Sequence, residues 1–225
     1  MSIGEYISAG SGTTKLLLHL NGNSNDDSGN SNNGVTSSVS YNLEYGRFNN
    51  GALFTNQDGR IYANNTITLN HVTFVCWAKL TQTNPGGTRG YICLSKDGYI
   101  IDNIRSWQQW FLWDNGTLTL HVDFFSASVF FNTPASINIW YNIIGTYDGS
   151  TVKAYVNGKL IGSQNFSGII PNGDAKITVG NRNQTSNDGS GFSGHIDEVI
   201  VENYGWTAQQ VQKYYTQSLG RFATL

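Results

Sequence analysis

Charged residues are scarce in this chain. Lys, Arg, Asp and Glu make up 12% of its 225 residues, and the formal net charge at pH 7 is −2. A nucleic-acid-binding protein needs a face rich in Lys and Arg, so this balance argues against nucleic acid as a partner. No stretch approaches the roughly 20 consecutive apolar residues of a membrane-spanning helix. We therefore expect neither nucleic-acid binding nor membrane insertion.

Cysteine is almost absent, and the start of the chain lacks export features. Cys76 and Cys93 are the two cysteines, and neither lies in a Cys-x-x-Cys or zinc-ligand spacing. We expect both to be buried as small hydrophobic side chains, with a disulfide as the alternative. Residues 1–6 have neither the basic nor the apolar region of a secretory signal peptide, so none is visible.

Glycine and aromatic residues are abundant instead. The chain has 26 glycines, and 13% of its residues are Phe, Trp or Tyr. Few charges, many turn-forming residues and many aromatics are typical of short strands joined by polar loops. A sandwich of such strands reaches this length as a single domain. We assign residues 1–13, which are small and polar, to an N-terminal arm or linker, and residues 14–225 to one domain.

Periodicity and turn residues predict an all-β fold with one short C-terminal helix. Along Thr117–Phe124 every second residue is apolar, so His121 and Asp123 fall together on the polar side of that strand. Asn157-Gly158 is a strong type I′ hairpin signal, and Asp114-Asn-Gly116 marks another hairpin turn. A capping box at Thr207–Gln210 predicts the start of the helix.

Five segments of the chain resemble, in this order, the laminin-G-like family of concanavalin A-like jelly rolls. They are Leu16–Asn23 with the loop Asp26–Asn30, Gly46–Phe54, Val72–Lys79, Trp140–Gly149 running into Val152–Gly158, and Gly194–Val201 followed by Trp206–Val211. The resemblance covers residues 14–216 and implies a two-sheet antiparallel jelly-roll sandwich. Trp77 and Trp140 lie on predicted strands, where an indole fits the space between sheets about 10 Å apart.

Domains of this family bind carbohydrate, protein or lipid-like ligands, and several relatives are glycan hydrolases or lyases. Hydrolysis needs two carboxyl groups about 5–5.5 Å apart in retaining enzymes or about 6.5–9.5 Å apart in inverting ones. The Glu-x-Asp-x-x-Glu run of the glucanase relatives is missing. Asp123 has no acidic partner in phase along its strand, and the adjacent Asp197 and Glu198 point to opposite faces. We therefore expect a non-catalytic binding module, with a glycan-active enzyme as the alternative.

An aromatic stretch at residues 99–113 is the candidate ligand site. Alternation places Trp107 on one face of a strand and Trp110 on the other, so one face enters the core while the other stays exposed. Exposed Trp and Tyr faces stack on sugar rings, and a nearby Arg bonds hydroxyl groups. Tyr99, Arg105, Trp107 and Trp110 are the predicted ligand-binding residues; the alternative is that the aromatics belong to the core.

The resemblance also implies a structural calcium ion. In concanavalin A-like relatives an Asp near the end of the last strand joins backbone carbonyls of the first loop and of an early Gly to bind Ca²⁺. Here these positions correspond to Asp197, Asn21 and Gly51. Calcium suits such a set because it accepts six to eight oxygen ligands at flexible distances. The alternative is that Asp197 only accepts hydrogen bonds from backbone amides.

The expected setting is a virion or another extracellular surface. Sandwiches rich in Asn, Gly, Ser and Thr with a polar N-terminal arm resemble those of phage head-decoration and fibre proteins. The predicted partner is a glycan or a neighbouring structural protein of the virion or surface, and an oligomer remains open. A decoration or adhesion module therefore accounts for the sequence.

Overall fold

The computed structural model describes residues 13–55, 58–83, 88–98, 101–185 and 189–220. Its elements are β1 (Thr14–Leu18), β2 (Gly34–Ser37), β3 (Val39–Asn42), β4 (Gly51–Phe54), β5 (Arg60–Ala63), β6 (Val72–Leu80), β7 (Arg89–Gly98), β8 (Ile104–Asp114), β9 (Thr117–Phe124), β10 (Val129–Pro134), β11 (Tyr141–Tyr147), β12 (Thr151–Val156), β13 (Lys159–Asn165), β14 (Thr178–Val179), β15 (Gly194–Glu202) and helix α1 (Ala208–Gly220). Short 3₁₀ turns span Leu43–Tyr45 and Phe125–Ala127.

The strands form two antiparallel sheets that pack face to face, which confirms the predicted jelly-roll sandwich. The eight-stranded sheet has the order β13-β12-β11-β6-β15-β4-β3, with β1 also paired to β15. The seven-stranded sheet has the order β10-β9-β8-β7-β14-β5-β2. Within the described residues, no helix is both long enough and apolar enough to span a membrane.

The main core lies between the two sheets. Phe74 of β6 stacks on Trp107 of β8, with ring centroids 4.2 Å apart and planes 9° from parallel. Gln109 bridges the sheets, because its Nε2 donates to the carbonyls of Phe74 (3.1 Å) and Ile143 (3.0 Å). The apolar side of β9 is buried here as its alternation predicted. Burial of side chains from both sheets holds the sandwich together.

Both cysteines are free thiols buried in this core, as expected. Cys76 Sγ lies 3.0 Å from Gln109 Oε1, and Cys93 Sγ lies 3.2 Å from the Gln109 carbonyl oxygen. Burial raises the pKa of the Cys76 thiol well above its ordinary value. The thiol is therefore protonated, and the two cysteines act as small core residues with weak S–H donors.

Helix α1 covers part of the outer face of the eight-stranded sheet. The capping box is confirmed: Thr207 N donates to Gln210 Oε1 (2.8 Å), and Gln210 N donates to Thr207 Oγ1 (3.2 Å). A second apolar cluster forms under the helix from Leu17, Val75, Ile144, Tyr155, Ile200, Trp206, Val211 and Tyr214. This sheet is therefore buried on both sides near its centre.

The predicted position of Trp77 and Trp140 between the sheets is wrong. Trp77 is buried, but on the outer face of β6, where it stacks on Tyr215 of α1 (6.0 Å) and lies under the guanidinium of Arg47 (5.0 Å). Trp140 precedes β11, is partly exposed, and lies 6.3 Å from His195. Since β6 is apolar on both faces, its pattern does not reveal which face enters the core.

Candidate ligand-binding site

The outer face of the seven-stranded sheet carries a group of polar and aromatic side chains on its central strands β7, β8 and β9. Cross-strand pairing brings these side chains together. Gln108 lies opposite Asp123, Trp110 opposite His121, and Asp97 opposite Arg105. We call the six residues the polar face. Helix α1 packs on the other sheet, whereas the segment after β13 packs on the β7–β8 part of this face, where Ser106 Oγ donates to the Pro171 carbonyl and Ser95 Oγ to the Asn181 carbonyl (2.9 Å).

Asp123 lies at the centre of the polar face and is 1% exposed. Its Oδ2 accepts hydrogen bonds from Gln108 Nε2 (2.9 Å) and from Trp110 Nε1 (2.5 Å). Its Oδ1 and the Oε1 of Gln108 are buried and have no hydrogen-bond partner among the described residues. A buried acceptor without a donor costs about 1–3 kcal/mol, so the centre of the polar face is held at a cost in stability.

Burial controls the ionisation of this carboxyl group. It raises the pKa of Asp123 from 3.8 to about 6, although the hydrogen bonds from Gln108 and Trp110 and the charge of Arg105 act in the opposite direction. The neighbouring Asp97 raises it further. Asp123 is therefore ionised at neutral pH, and an ionised carboxylate is only an acceptor.

Trp110 extends over three neighbouring strands. Its Nε1 and its ring reach Asp123 and His121 of β9, and the His121 ring centroid is 4.6 Å away. On the other side, a Cβ at Gly90 of β7 would lie 3.0 Å from Trp110 Cε3, so the missing side chain makes room for the indole. The partly exposed ring lies over these strands, next to the two acceptors, and offers an apolar surface for stacking.

A buried ion pair borders this site. Asp97 is fully buried, and both of its oxygens accept from Arg105, at 2.9 to 3.1 Å. Arg182 Nε lies 3.7 Å from the same carboxylate. The Arg105 guanidinium also lies 3.6 Å above the ring of Phe125. These contacts fix the partly exposed Arg105 in place beside Asp123.

A family model described as the concanavalin A-like lectin/glucanases superfamily, of the laminin G type, matches residues 54–212. The chain belongs to this superfamily. No curated protein sequence matches it. Similar folds include domain 4 of an extracellular arabinanase from Geobacillus stearothermophilus, solved in complex with arabinotriose; the identity is 18%, the TM-score is 0.64, and the match covers 90% of this chain and 98% of that one.

Two botulinum neurotoxin domains have the same fold. The receptor-binding domain of botulinum neurotoxin type G has a TM-score of 0.64 at 19% identity, and the match covers 91% of this chain and 51% of that one. The serotype D ligand-binding domain, solved in complex with N-acetylneuraminic acid, has a TM-score of 0.62 at 16% identity, with 91% and 51% coverage. The superfamily domain described here thus spans about half of each toxin domain.

The structure separates the four predicted ligand residues. Arg105 and Trp110 lie together on the polar face. Trp107 is fully buried against Phe74, so the prediction that it contacts ligand is corrected: it is a core residue. Tyr99 lies outside the described residues. Because side chains alternate along β8, Trp107 points into the core between the sheets and Trp110 lies on the outer face.

Sequence reasoning missed Asp97 and Asp123 as site residues. His121 and Asp123 were placed on one strand face, but that face was not connected with Trp110. The hairpin turn Asn115-Gly116 carried the signal, because a two-residue loop pairs Asp114 with Thr117 and hence Gln108 with Asp123. Asp97 pairs with Arg105 next to a β-bulge, and pattern reasoning does not reveal that shift in register.

The predicted calcium ligands lie around β15. Asp197 is 1% exposed, its Oδ2 accepts from the backbone amides of Arg47 (2.7 Å) and Phe48 (3.1 Å), and its Oδ1 has no hydrogen-bond partner among the described residues. Burial, followed by the charge of Glu198, raises the pKa of Asp197 to about 7. Gly51 precedes Ala52, which pairs with Ile196 of β15.

The fit of this site to calcium is partial. Asn21 precedes Gly22, and a Cβ built on Gly22 would lie 3.5 Å from Nδ2 of Asn50, the residue before Gly51. The three predicted calcium ligands therefore share one region. In the described part of the chain, however, no three His, Cys, Asp or Glu side chains are grouped to hold a metal. Backbone carbonyls would have to supply most of the six to eight oxygens, and the calcium ion stays a prediction.

Proposed function

We propose that this domain is a non-catalytic glycan-binding module that holds its ligand on the polar face. The observation that supports this most directly is the partly exposed ring of Trp110, which Asp123 holds in place through the indole Nε1 and beside which Arg105 is also partly exposed. Sugars present an apolar ring face and hydroxyl groups, which match an aromatic platform with a polar side chain such as Arg105 beside it. Two of the similar domains were solved with arabinotriose and N-acetylneuraminic acid.

The arrangement of carboxylates supports binding over catalysis. Both oxygens of Asp97 are held by Arg105, which leaves that carboxylate poorly suited to act as a base or nucleophile. A glycan hydrolase or lyase is the second candidate, because a pKa near 6 at Asp123 suits a general acid. Release of new reducing ends from a bound glycan, abolished by Asp123→Asn, would favour the enzyme.

A glycan panel with two matched tryptophan variants tests the binding function. Trp110→Ala is expected to lose glycan binding, because it removes the platform and one donor to Asp123. Trp140→Ala is the control, since Trp140 is also partly exposed but lies near His195 and Lys79, beside the other sheet. A wild-type protein that retains no glycan, or equal losses in both variants, would contradict the proposal.

The finer proposal is display on a virion or another extracellular surface, with attachment to a neighbouring structural protein through the N-terminal arm. Residues 1–12 of that arm lie outside the described residues. Deleting them is expected to leave glycan binding unchanged and to release the domain from the particle or surface with which the full chain purifies. Full retention of the shortened chain on that particle would refute the tether.

A further inference from the structure

The outer face of the seven-stranded sheet continues from the polar face to the edge strand β10. Phe130 of β10 lies opposite Asp123, which in turn lies opposite Gln108 of β8. Residues directly opposite each other in an antiparallel sheet project to the same side, with Cβ atoms about 4.5–5.5 Å apart. Phe130 therefore stands beside Asp123 on the outer face, and 55% of it is exposed. No other Phe, Trp or Tyr side chain of the described chain is exposed to this degree.

The rings of Trp110 and Phe130 flank Asp123. The indole Nε1 donates to Asp123 Oδ2 (2.5 Å), so one edge of the indole lies above the residue that pairs with Phe130. Neighbouring strands are about 4.8 Å apart, which separates β8 from β10 by about 10 Å. Two aromatic rings at this separation, on one side of a sheet, offer more stacking surface than a single sugar ring covers.

The Phe130 ring is held in place by other side chains. It meets the ring of Phe125 edge-on, with centroids 6.1 Å apart and planes at 65°. Phe125 in turn lies under the guanidinium of Arg105, at 3.6 Å. The side chain of Arg105 is 32% exposed, so a polar group accompanies Phe130 at this end of the face. A ring that is already ordered loses less conformational freedom when a ligand binds.

The fold leaves one direction open to a ligand that stacks on Trp110. The segment after β13 packs on the β7–β8 part of this face, through the bond from Ser106 Oγ to the Pro171 carbonyl. On the opposite side, β10 is the edge strand of its sheet, and its Phe130 and Asn132 side chains are exposed. Asn132 lies opposite His121, next to Trp110 on the sheet. The ligand can therefore extend over β9 and β10.

We infer that Phe130 is a second stacking position, so that this face binds a linear oligosaccharide whose sugar rings lie on Trp110 and on Phe130, across β9. The ligand class is a glycan chain bound along its length, and a terminal monosaccharide alone fills only one of the two positions. The inference rests on the proposed glycan-binding function and extends its site to the sheet edge.

The test titrates the full chain with oligosaccharides of increasing length. Linear glucan, xylan, arabinan and galactan fragments, from disaccharide to hexasaccharide, are the probes, and calorimetry measures each affinity. Phe130→Ala is expected to weaken hexasaccharide binding by about tenfold, and disaccharide binding by a much smaller factor because Trp110 remains. Phe130→Tyr keeps the ring and should restore the hexasaccharide affinity. Leu43→Ala is the matched control, since Leu43 is 67% exposed but lies in the 3₁₀ turn after β3 of the other sheet.

The outcomes separate the second position from the proposed function. Equal hexasaccharide affinity in the wild type and Phe130→Ala, with loss in Trp110→Ala, would overturn the inference and leave the proposed function standing. A dimer in sedimentation that Phe130→Ala dissociates, without a change in hexasaccharide affinity, would also overturn it, because the ring would then contact a second copy. A wild-type protein that binds no oligosaccharide, or binding that Trp110→Ala leaves intact, would overturn both.

Discussion

The outer faces of the two sheets differ in what covers them. On the eight-stranded sheet, α1 and the segment before it bury Trp206, Val211 and Tyr214 against the strands. On the seven-stranded sheet, no helix of the described chain covers the polar face, and its side chains are held by one another, through Asp123 with Gln108 and Trp110 and through Asp97 with Arg105. Apolar burial under a helix stabilises the first face, whereas hydrogen bonds and ion pairs between side chains hold the second. The first face therefore adds apolar burial to the domain, while the second leaves part of the Trp110 ring in contact with solvent.

The largest expected effect concerns the covered face. Trp206→Ala should lower the free energy of unfolding by about 3–5 kcal/mol, because it removes a buried indole packed on Tyr214 (5.3 Å). Trp110→Ala on the open face should cost less than about 2 kcal/mol, since that ring is partly exposed. Urea unfolding measures both. Equal losses would mean that the two faces do not divide stability and recognition.

The next effect concerns pH and the open face. The folded-state pKa of Asp123 is raised to about 6, so its contribution to stability is fully present below 3.8 and is lost as the pH rises through 6. Arg105, Asp97 and the partly buried His121, whose own pKa burial lowers, face or adjoin this group. A pKa shift of about two units corresponds to a loss in the free energy of unfolding on the order of 3 kcal/mol.

Asp123→Asn isolates this contribution. The variant should unfold with a smaller loss of stability between pH 4 and pH 8 than the wild type, as measured by urea unfolding across that range. Subtracting the two curves removes the contributions of other groups, including Asp197. Parallel curves for the two proteins would show that Asp123 is not the group that burial penalises.

The sequence predicted the two-sheet architecture better than it predicted which face of each strand is buried between the sheets. Alternation in β9, the capping box of α1 and the five family segments were enough for the sandwich, because each is a local pattern. The face of Trp77 and the burial of Trp107 depend on which side of a strand meets the second sheet. Local patterns do not contain that information when both sides are apolar. The Asp123 network also required the register between β8 and β9, which only the hairpin turn specifies.

Calcium distinguishes the buried aspartates of the two faces. If Asp197 takes a calcium ion, millimolar Ca²⁺ should stabilise the wild type by about 2–3 kcal/mol at a hundredfold excess over the dissociation constant, and chelator should reverse this. Asp197→Asn should abolish the response, and Asp123→Asn should retain it. Calorimetric unfolding temperatures with and without Ca²⁺ measure the effect. An unchanged wild-type temperature would make the calcium prediction wrong.

The smallest change in stability is expected at Gly90, and it gives the sharpest test of the open face. A Cβ there would lie 3.0 and 3.1 Å from Cε3 and Cζ3 of Trp110, so Gly90→Ala must shift the indole by a few tenths of an ångström. The change in unfolding free energy should stay within about 1 kcal/mol, because alanine also reduces the entropy of the unfolded chain. The shift pushes the indole away from β7, against Asp123 and His121 of β9, and the displaced stacking surface should weaken glycan binding several-fold, as measured by calorimetric titration. Gly220→Ala is the control, since nothing lies within 4 Å of its Cβ position. Undiminished binding in Gly90→Ala would show that the position of the Trp110 ring over β7 does not matter for ligand binding.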